Sequence, residues 1–295
     1  MTMTSTSRLS ILSNASPADL RLDPYPHLVI ENALDPKVFA ELEAEFPADD
    51  LVVDRRPVTD TWFDYPACKV VDDPRIAPIW RSFFRHHTSG AFFAELVALA
   101  GPAIRDLHPR LEDRIGRKLA DFKIGMRPGG RGDPLAPGAD LSMECQFYVN
   151  YTRQPRTVRG PHVDRPSELF AALLYFRQPG DDSTGADLNV CVGDPSIFPG
   201  ENKVRIAHLP AEVDEAQVHT VRAGRYKANT LVLFLNSQRS IHAVSPRSPT
   251  PLTRRHINFC ADVPFDLSAL ELPPRLAMKK RLEAMPVLWR IGQRL

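Results

Sequence analysis

One histidine and one aspartate stand two positions apart in the stretch GPHVDRPSELFAALLYF, where His162 and Asp164 precede a run of apolar residues. On an extended segment, residues two positions apart project from the same face. An imidazole and a carboxylate on one face suit a divalent metal ion, and a third ligand would complete a facial triad that leaves three coordination positions open. Among the nine histidines, His162 alone is followed by an aspartate at this spacing. The best third ligand is His242, which follows the apolar segment NTLVLFL.

Residues 35–118 are predicted to be mainly helical. In DPKVFAELEAEFP, Asp35 is a plausible helix cap with proline at the first helical position, and APIWRSFFRHH and GAFFAELVALAG place apolar residues at helical spacing. The aromatic residues of these two segments are predicted to form a core rather than a site. His86 and His87 are adjacent and face different directions, so we expect them at the surface.

Residues 119–265 have the pattern of short strands. Six segments are rich in β-branched and aromatic residues and are separated by Gly- and Pro-rich turns: FKIGMR, ECQFYVNYT, FAALLYF, ADLNVCV, YKANTLVLFL and RRHINFCADV. Strands at this spacing without intervening helices predict an antiparallel sandwich or barrel. The Gly- and Pro-rich stretch from Arg127 to Ser142 is a candidate substrate loop or lid.

An H-x-D pair, a long gap, a histidine and then Arg254 twelve positions later resemble the Fe(II)/2-oxoglutarate-dependent oxygenases. The segments GPHVDRPSELFAALLYF, GADLNV and ANTLVLFLNSQRSIHAVSP are similar in order to that family's double-stranded β-helix, and PYPHLVIENALDPKVFAELEAEFP resembles the lead-in of its prolyl-hydroxylase-like branch. The resemblance covers most of residues 24–263. It implies a mainly β protein with a jelly-roll or cupin-like core packed by N-terminal helices, as a single domain over residues 21–265.

The resemblance also implies roles for individual residues. His162, Asp164 and His242 would bind Fe(II), the cosubstrate 2-oxoglutarate would chelate the metal, and its distal carboxylate would meet Arg254. Dioxygen would be the second cosubstrate, and ascorbate stays open as an additional reductant. Halogenating relatives replace the aspartate with a small residue, so the presence of Asp164 implies hydroxylation, with desaturation or ring chemistry left open.

Which arginine binds the cosubstrate depends on strand alternation. One face of RRHINFCADV carries a polar set and the other a mainly apolar set: Arg254, His256, Asn258 and Cys260 against Arg255, Ile257, Phe259 and Ala261. If the apolar set packs against the helices, the polar set lines the barrel, which favours Arg254 over Arg255 and places Asn258 beside it. Tyr148 or Tyr151 is a candidate second contact for the cosubstrate. His256 is predicted either to touch substrate or cosubstrate or to be structural.

The rest of the chain narrows the setting. A net charge of +1 gives no nucleic-acid footprint, and four scattered cysteines without a C-x-x-C pair fit a reducing cytoplasm. Residues 1–20 are Ser/Thr-rich, lack the apolar run of a signal peptide, and are predicted to be disordered. Residues 266–295 are predicted to be a basic amphipathic helical tail, which could contact a membrane surface or a protein, or pack on the enzyme body.

The favoured hypothesis is a cytoplasmic hydroxylase of a small molecule, either a sugar or a natural-product intermediate, like the bacterial small-molecule hydroxylases of this family. A peptidyl or prolyl-type protein hydroxylase is the alternative within the same chemistry. Two alternatives belong to other classes: a non-catalytic β-helix binding module with a vestigial H-x-D, and a zinc hydrolase that uses the same three ligands. The oligomeric state and the identity of the substrate are left open by the sequence.

Overall fold

A seven-stranded sheet of apolar strands forms the larger layer of the molecule. The computed structural model describes residues 7–57, 62–130, 133–155, 159–197 and 212–267. The strands of this sheet are β1 (His27–Glu31), β2 (Trp62–Pro66), β3 (Ile124–Met126), β4 (Leu141–Thr152), β5 (Glu168–Tyr175), β8 (Thr230–Leu235) and β10 (Thr250–Asp262). Their order is β1-β8-β5-β10-β4-β2, all antiparallel, with β3 added parallel to β4.

A smaller sheet faces the first. It contains β6 (Leu188–Gly193), β7 (Val218–Gly224) and β9 (His242–Val244) in the order β7-β6-β9, and a bridge from His162 to His242 extends it by one more short extended segment. Buried side chains of β5 and β8 meet those of β6 between the two layers, with Leu173, Phe234 and Val190 among them. The order of strands in the two sheets is that of a double-stranded β-helix, which confirms the predicted fold class.

Helices cover the other side of the larger sheet. They are α1 (Pro36–Ala44), α2 (Asp49–Val53), α3 (Ala67–Val70), α4 (Pro78–His87), α5 (Gly90–Leu107) and α6 (Leu111–Ile115). Asp35 caps α1 as predicted, because its carboxylate accepts hydrogen bonds from the backbone N–H groups of Lys37 and Val38. The predicted aromatic core is confirmed: Trp80 of α4 packs at 4.7 Å, centroid to centroid, from Phe147 of β4.

The helical half contains a proline inside a helix and one short strand. Helix α5 includes Pro102 and continues to Leu107. A proline removes one helical hydrogen bond, and the burial of Ala103 and Ile104 against the core holds the following turns in place. Residues 35–118, which were predicted to be mainly helical, also contain the edge strand β2, and β1 precedes them at the opposite edge of the sheet. Both strands are too short to show an alternating pattern.

The predictions that the N-terminal segment is disordered and that His86 and His87 of α4 lie at the surface do not hold for the described residues. Residues 7–20 are ordered rather than disordered, because Ile11 is fully buried and its backbone N–H donates to His87 Nε2 at 3.1 Å. His87 Nδ1 donates to the Phe83 carbonyl, so this neutral ring is satisfied at both nitrogens inside the core. His86 is buried as well, not at the surface. Strong burial lowers the pKa of His87 well below its ordinary value.

Two further expectations concern the ends of the chain. The predicted C-terminal helical tail lies, from residue 268 onward, outside the described residues. Within the described ranges, no helix is long and apolar enough to cross a membrane. The proposed domain boundaries stay predictions.

Candidate metal centre

His162 and His242 are brought together by backbone pairing. Each donates its N–H to the carbonyl oxygen of the other, with N···O distances of 2.9 and 3.0 Å. Directly opposed residues of an antiparallel pair project to the same face, and their rings lie 4.1 Å apart, centroid to centroid. Asp164, two positions beyond His162, projects to the same side. The chain thus positions two ligands by one pair of hydrogen bonds and the third by strand alternation.

The ligand atoms of this triad point to one centre. His162 Nε2 lies 3.7 Å from one carboxylate oxygen of Asp164, and His242 Nε2 lies 3.4 Å from the other. All three ligand atoms are within 4.8 Å of one another, and all three residues are buried. Two metal–ligand bonds of about 2.1 Å at a right angle would place their ligand atoms about 3 Å apart, so the donors need to move little to bind an ion.

Hydrogen bonds fix which ring nitrogen is available. His162 Nδ1 lies 2.7 Å from the carbonyl oxygen of Gly160, and His242 Nδ1 lies 2.9 Å from that of Ser240. A carbonyl oxygen only accepts, so both Nδ1 atoms carry the hydrogen and both Nε2 lone pairs face Asp164. Burial lowers the pKa of His242 to about 4, although Asp164 opposes the shift. The ring is therefore neutral at pH 7, which is the form that binds metal ions.

The triad lines a cavity between the two sheets with a volume of about 250 Å³. Its walls include residues of both layers: Trp62, Tyr148, Asn150, Arg159, Glu168, Ala171, Leu173, Leu188, Phe234, Val244, Arg254, His256, Asn258 and Cys260. The polar set of β10 therefore faces the cavity, while Ile257, Phe259 and Ala261 pack on the helical side, as the alternation predicts. Of the described residues of the Arg127 to Ser142 loop, none lines the cavity, so the sequence-based expectation of a lid there is not supported.

Arg254 presents a buried positive charge to this cavity. The residue is 1% exposed, and no carboxylate of the described chain lies within 4.0 Å of its guanidinium. Its N–H groups reach the Ala186 carbonyl at 3.2 Å, His256 Nδ1 at 3.0 Å, the Tyr175 hydroxyl at 3.3 Å and the Asn150 amide oxygen at 3.5 Å. Those four contacts leave at least one Nη2–H for another acceptor.

Other buried arginines show the contrast. Arg247 meets the Asp181 carboxylate at 2.8 Å, and Arg127 forms ion pairs with Asp262 and Glu144. A buried cation is costly unless a negative charge compensates it. Among the described residues, the partners of Arg254 are all neutral, so the cavity is suited to a ligand that brings an anionic group to this point.

Two tyrosines beside Arg254 were missed by the sequence reasoning. The guanidinium carbon of Arg254 lies 5.1 Å from the ring centre of Tyr175 and 5.4 Å from that of Tyr226. The Tyr175 hydroxyl accepts from Arg254 and from the backbone N–H of Leu188, which leaves its own hydrogen to donate. The sequence does carry one signal for the inward orientation of Tyr175. In FAALLYF this residue alternates with Ala171 and Leu173, and all three share the inward face of β5.

The remaining predicted cosubstrate residues divide between the two faces of the sheet. Tyr148 and Asn258 line the cavity. Tyr151 does not, because it packs on the helical side with its ring 6.1 Å from that of Phe63. Arg255 also faces the helices and pairs with Asp49 at 2.9 Å, so its charge is already compensated. Odd and even positions of a strand point to opposite faces, which excludes Tyr151 and Arg255 from the cavity.

His256 is a second neutral ring in the cavity wall. Its Nδ1 accepts a hydrogen bond from Arg254 Nη1, so the hydrogen of this imidazole lies on Nε2. Burial, together with the neighbouring arginine charge, lowers the pKa of His256 well below its usual value. The ring thus stays neutral and leaves the positive charge to Arg254.

No family model matches the chain, and no curated protein sequence is similar to it. Solved structures do resemble it. A prolyl 4-hydroxylase from Pseudomonas putida is 15% identical over 85% of this chain and 98% of its own, with a TM-score of 0.41. HygX from Streptomyces hygroscopicus, solved with nickel, 2-oxoglutarate and hygromycin B bound, is 16% identical over 81% and 83%, with a TM-score of 0.36.

The Fe(II)/α-ketoglutarate-dependent dioxygenase TqaL is 12% identical over 89% of this chain and 91% of its own, with a TM-score of 0.43. The predicted resemblance is confirmed in this sense: solved prolyl 4-hydroxylases and other 2-oxoglutarate-dependent oxygenases are similar to the chain, and the His-Asp-His triad is present.

Proposed function

We propose that this protein is an Fe(II)- and 2-oxoglutarate-dependent dioxygenase that hydroxylates a C–H bond of a small molecule, such as a sugar or a natural-product intermediate. One observation supports this most strongly. A buried triad of two histidines and an aspartate shares its cavity with a buried arginine that has no carboxylate partner in the described chain. The first feature fits Fe(II), and the second fits the distal carboxylate of 2-oxoglutarate.

The donor set fits the metal. Two imidazoles and one carboxylate on one face form the triad typical of non-haem iron oxygenases, and three coordination positions are left for other ligands. When bound, Fe(II) with 2-oxoglutarate and O2 supplies the oxidising chemistry, in which 2-oxoglutarate becomes succinate and CO2 and the substrate gains a hydroxyl group. His162, Asp164 and His242 hold the ion, and the carbonyls of Gly160 and Ser240 keep both rings oriented.

The chain's other residues bind and orient. Arg254 offers an Nη2–H to the distal carboxylate of the cosubstrate, and Tyr175 can donate its hydroxyl hydrogen to the same group. Leu173, Leu188 and Val244 supply an apolar wall beside the triad, which excludes water from the reacting region. A zinc hydrolase or a binding module with a vestigial triad would need an anionic substrate or ligand to make use of Arg254. A 2-oxoglutarate-dependent dioxygenase accounts for the triad and for Arg254 with one cosubstrate.

The cellular setting is proposed on the cysteines. All four, Cys68, Cys145, Cys191 and Cys260, are free thiols, and three of them are buried. Free cysteines are usual in a reducing compartment, so we propose a cytoplasmic enzyme.

An anaerobic titration tests the proposed function. Apoprotein mixed with Fe(II) and 2-oxoglutarate should develop the weak visible charge-transfer band of the iron chelate. His162→Ala should abolish the band, whereas His219→Ala should keep it, because His219 is exposed on β7 away from the cavity. Tight zinc binding without a band in wild type would instead support the hydrolase. Succinate release with candidate sugars and with poly(L-proline) then separates a small-molecule hydroxylase from a peptidyl one.

A further inference from the structure

One large aromatic side chain is exposed at the rim of the cavity. Trp62 of β2 is 48% exposed and lines the cavity. Two other large apolar side chains of the described chain are exposed, Leu22 and Val221, and neither lines the cavity. An indole left half in water at the mouth of a site has a free surface on which a ligand can pack.

The indole begins a series of aromatic rings that leads inward. The rings of Trp62 and Tyr148 lie 5.4 Å apart, centroid to centroid, with an interplanar angle of 32°. Tyr148 in turn stacks on His256 at 5.1 Å and 26°. His256 then accepts the hydrogen bond from Arg254. These three rings, each stacked or tilted against the next, form one aromatic wall that runs from the exposed indole to the proposed cosubstrate site.

The rest of the cavity complements a ring in shape and polarity. Asn150 and Asn258, which lie on the same strands as the inner rings, provide amide donors and acceptors beside the aromatic wall. Leu188 and Val244 of the smaller sheet provide an apolar surface in the same cavity. A volume of about 250 Å³, which must also hold the metal and the cosubstrate, leaves space for one compact group rather than for an extended chain.

We propose that Trp62 and Tyr148 form a stacking platform for a ring-bearing small molecule, with the ring face on the Trp62 indole and its polar substituents directed to the amides. This inference rests on the proposed function and specifies the class of its substrate. Two sources share the required chemistry: a saturated polyhydroxylated ring, which presents C–H groups to the indole, and a planar aromatic ring with polar substituents.

Equilibrium binding tests the platform without turnover. Binding is measured by isothermal titration calorimetry, which does not depend on the fluorescence of Trp62 and therefore gives a dissociation constant for Trp62→Ala and Trp62→Phe as well as for wild type. The probes are methyl glycosides for the saturated ring, hydroxylated phenols for the planar ring and poly(L-proline) for an extended chain. Each is titrated into the protein with Fe(II) and 2-oxoglutarate under anaerobic conditions, and the chelate band is recorded in the same samples.

We expect at least one class of ring probe to bind, with a dissociation constant raised about three- to tenfold in Trp62→Ala and partly restored in Trp62→Phe, as for the loss of one aromatic stacking contact. Leu22→Ala, an exposed apolar residue outside the cavity, is the matched control and should bind like wild type. The platform is refuted if every ring probe fails to bind, if Trp62→Ala binds the ring as tightly as wild type, or if poly(L-proline) alone binds. A missing chelate band in wild type contradicts the proposed function instead, and the ring titration still reports on Trp62.

Discussion

Replacing Arg254 by glutamine should weaken cosubstrate binding strongly while leaving the apoprotein folded. The substitution removes a buried positive charge that has no carboxylate partner in the described chain, and the glutamine amide can still donate to the Ala186 carbonyl. Truncating one partner of a buried charge pair costs about 2–5 kcal/mol of binding free energy. Because about 1.4 kcal/mol corresponds to a tenfold change in affinity, the dissociation constant for 2-oxoglutarate should rise about 30- to 4,000-fold.

The effect on stability should be small by comparison with a matched arginine. Arg247 is equally buried, but it pairs with the buried Asp181 carboxylate at 2.8 Å. Arg247→Gln removes the nearer cation of that carboxylate and leaves Arg177, at 3.9 Å, as its remaining ion-pair partner. Breaking a buried ion pair typically costs up to about 3–5 kcal/mol of folding free energy. Arg254→Gln strands no such charge, so its free energy of unfolding without ligand should fall by clearly less than that of Arg247→Gln.

Denaturant unfolding with and without 2-oxoglutarate, in the presence of Fe(II) under anaerobic conditions, measures both effects. A ligand at one hundred times its dissociation constant stabilises the native state by about 2.7 kcal/mol. Wild type should show this increment, and Arg254→Gln should retain at most about 0.9 kcal/mol of it. The reasoning fails if Arg254→Gln retains wild-type stabilisation by 2-oxoglutarate, or if it destabilises the apoprotein as much as Arg247→Gln does.

Three further changes have defined outcomes. Asp164→Asn keeps the size of the side chain but removes its charge. Replacing a residue that only supports a metal ligand lowers metal affinity by up to about 100-fold, so the loss of a direct ligand should lower Mn(II) affinity by more than this. The affinity is measured by competition with a fluorescent chelator, and a variant with wild-type affinity would exclude Asp164 as a ligand. Burial lowers the pKa of His108 to about 4, so the folded state stays unprotonated while the unfolded state takes up a proton near pH 6.5. This contribution to stability is complete above pH 6.5 and is lost as the pH falls towards 4. Over that range the free energy of unfolding of wild type should fall by up to about 1.4 kcal/mol per pH unit because of His108. In His108→Gln the slope of the unfolding free energy against pH should be shallower by up to the same amount, about 1.4 kcal/mol per pH unit. Ile11→Ala should lower the free energy of unfolding by about 2–4 kcal/mol, because the Ile11 side chain is fully buried. Leu22 is exposed, so Leu22→Ala should change the free energy of unfolding by less than about 0.5 kcal/mol. Equal effects of the two substitutions would show that the N-terminal segment does not belong to the core.

The β half of the fold was largely predictable because its long strands carry a clear pattern. RRHINFCADV alternates polar and apolar residues, so both the helical side and the cavity side of β10 follow from the sequence. Strands β2 and β9 could not be predicted from the sequence, because a strand of three to five residues is too short to show an alternation of polar and apolar residues. The burial of His87 was likewise hidden, since its partner is the backbone N–H of a residue 76 positions away.

Two members of the triad could be predicted from local spacing, whereas the third member and the surroundings of Arg254 depend on contacts between distant segments. His162 and Asp164 share a face by strand spacing alone, whereas the pairing of His162 with His242 needs the register between two segments. Strand alternation predicted that Arg254 and Arg255 lie on opposite faces of β10, as the structure shows. The same argument applies to β4, where Tyr148 and Tyr151 are three positions apart and therefore cannot both face the cavity. The contact of Tyr175 with Arg254 could not be predicted, because this hydrogen bond joins residues that are 79 positions apart in the sequence.

The strand order of the larger sheet has a consequence for how the chain folds during synthesis. Strand β10 lies at the centre, between β4 and β5, although it is the last strand of the sheet to leave the ribosome. Until it emerges, β4 and β5 each present an unpaired inner edge, and their apolar faces have no neighbour to complete the layer. Nascent chains that end before Thr250 should therefore be open to proteases and to chaperones, and the sheet should close in one late step that also delivers Arg254 to the interior.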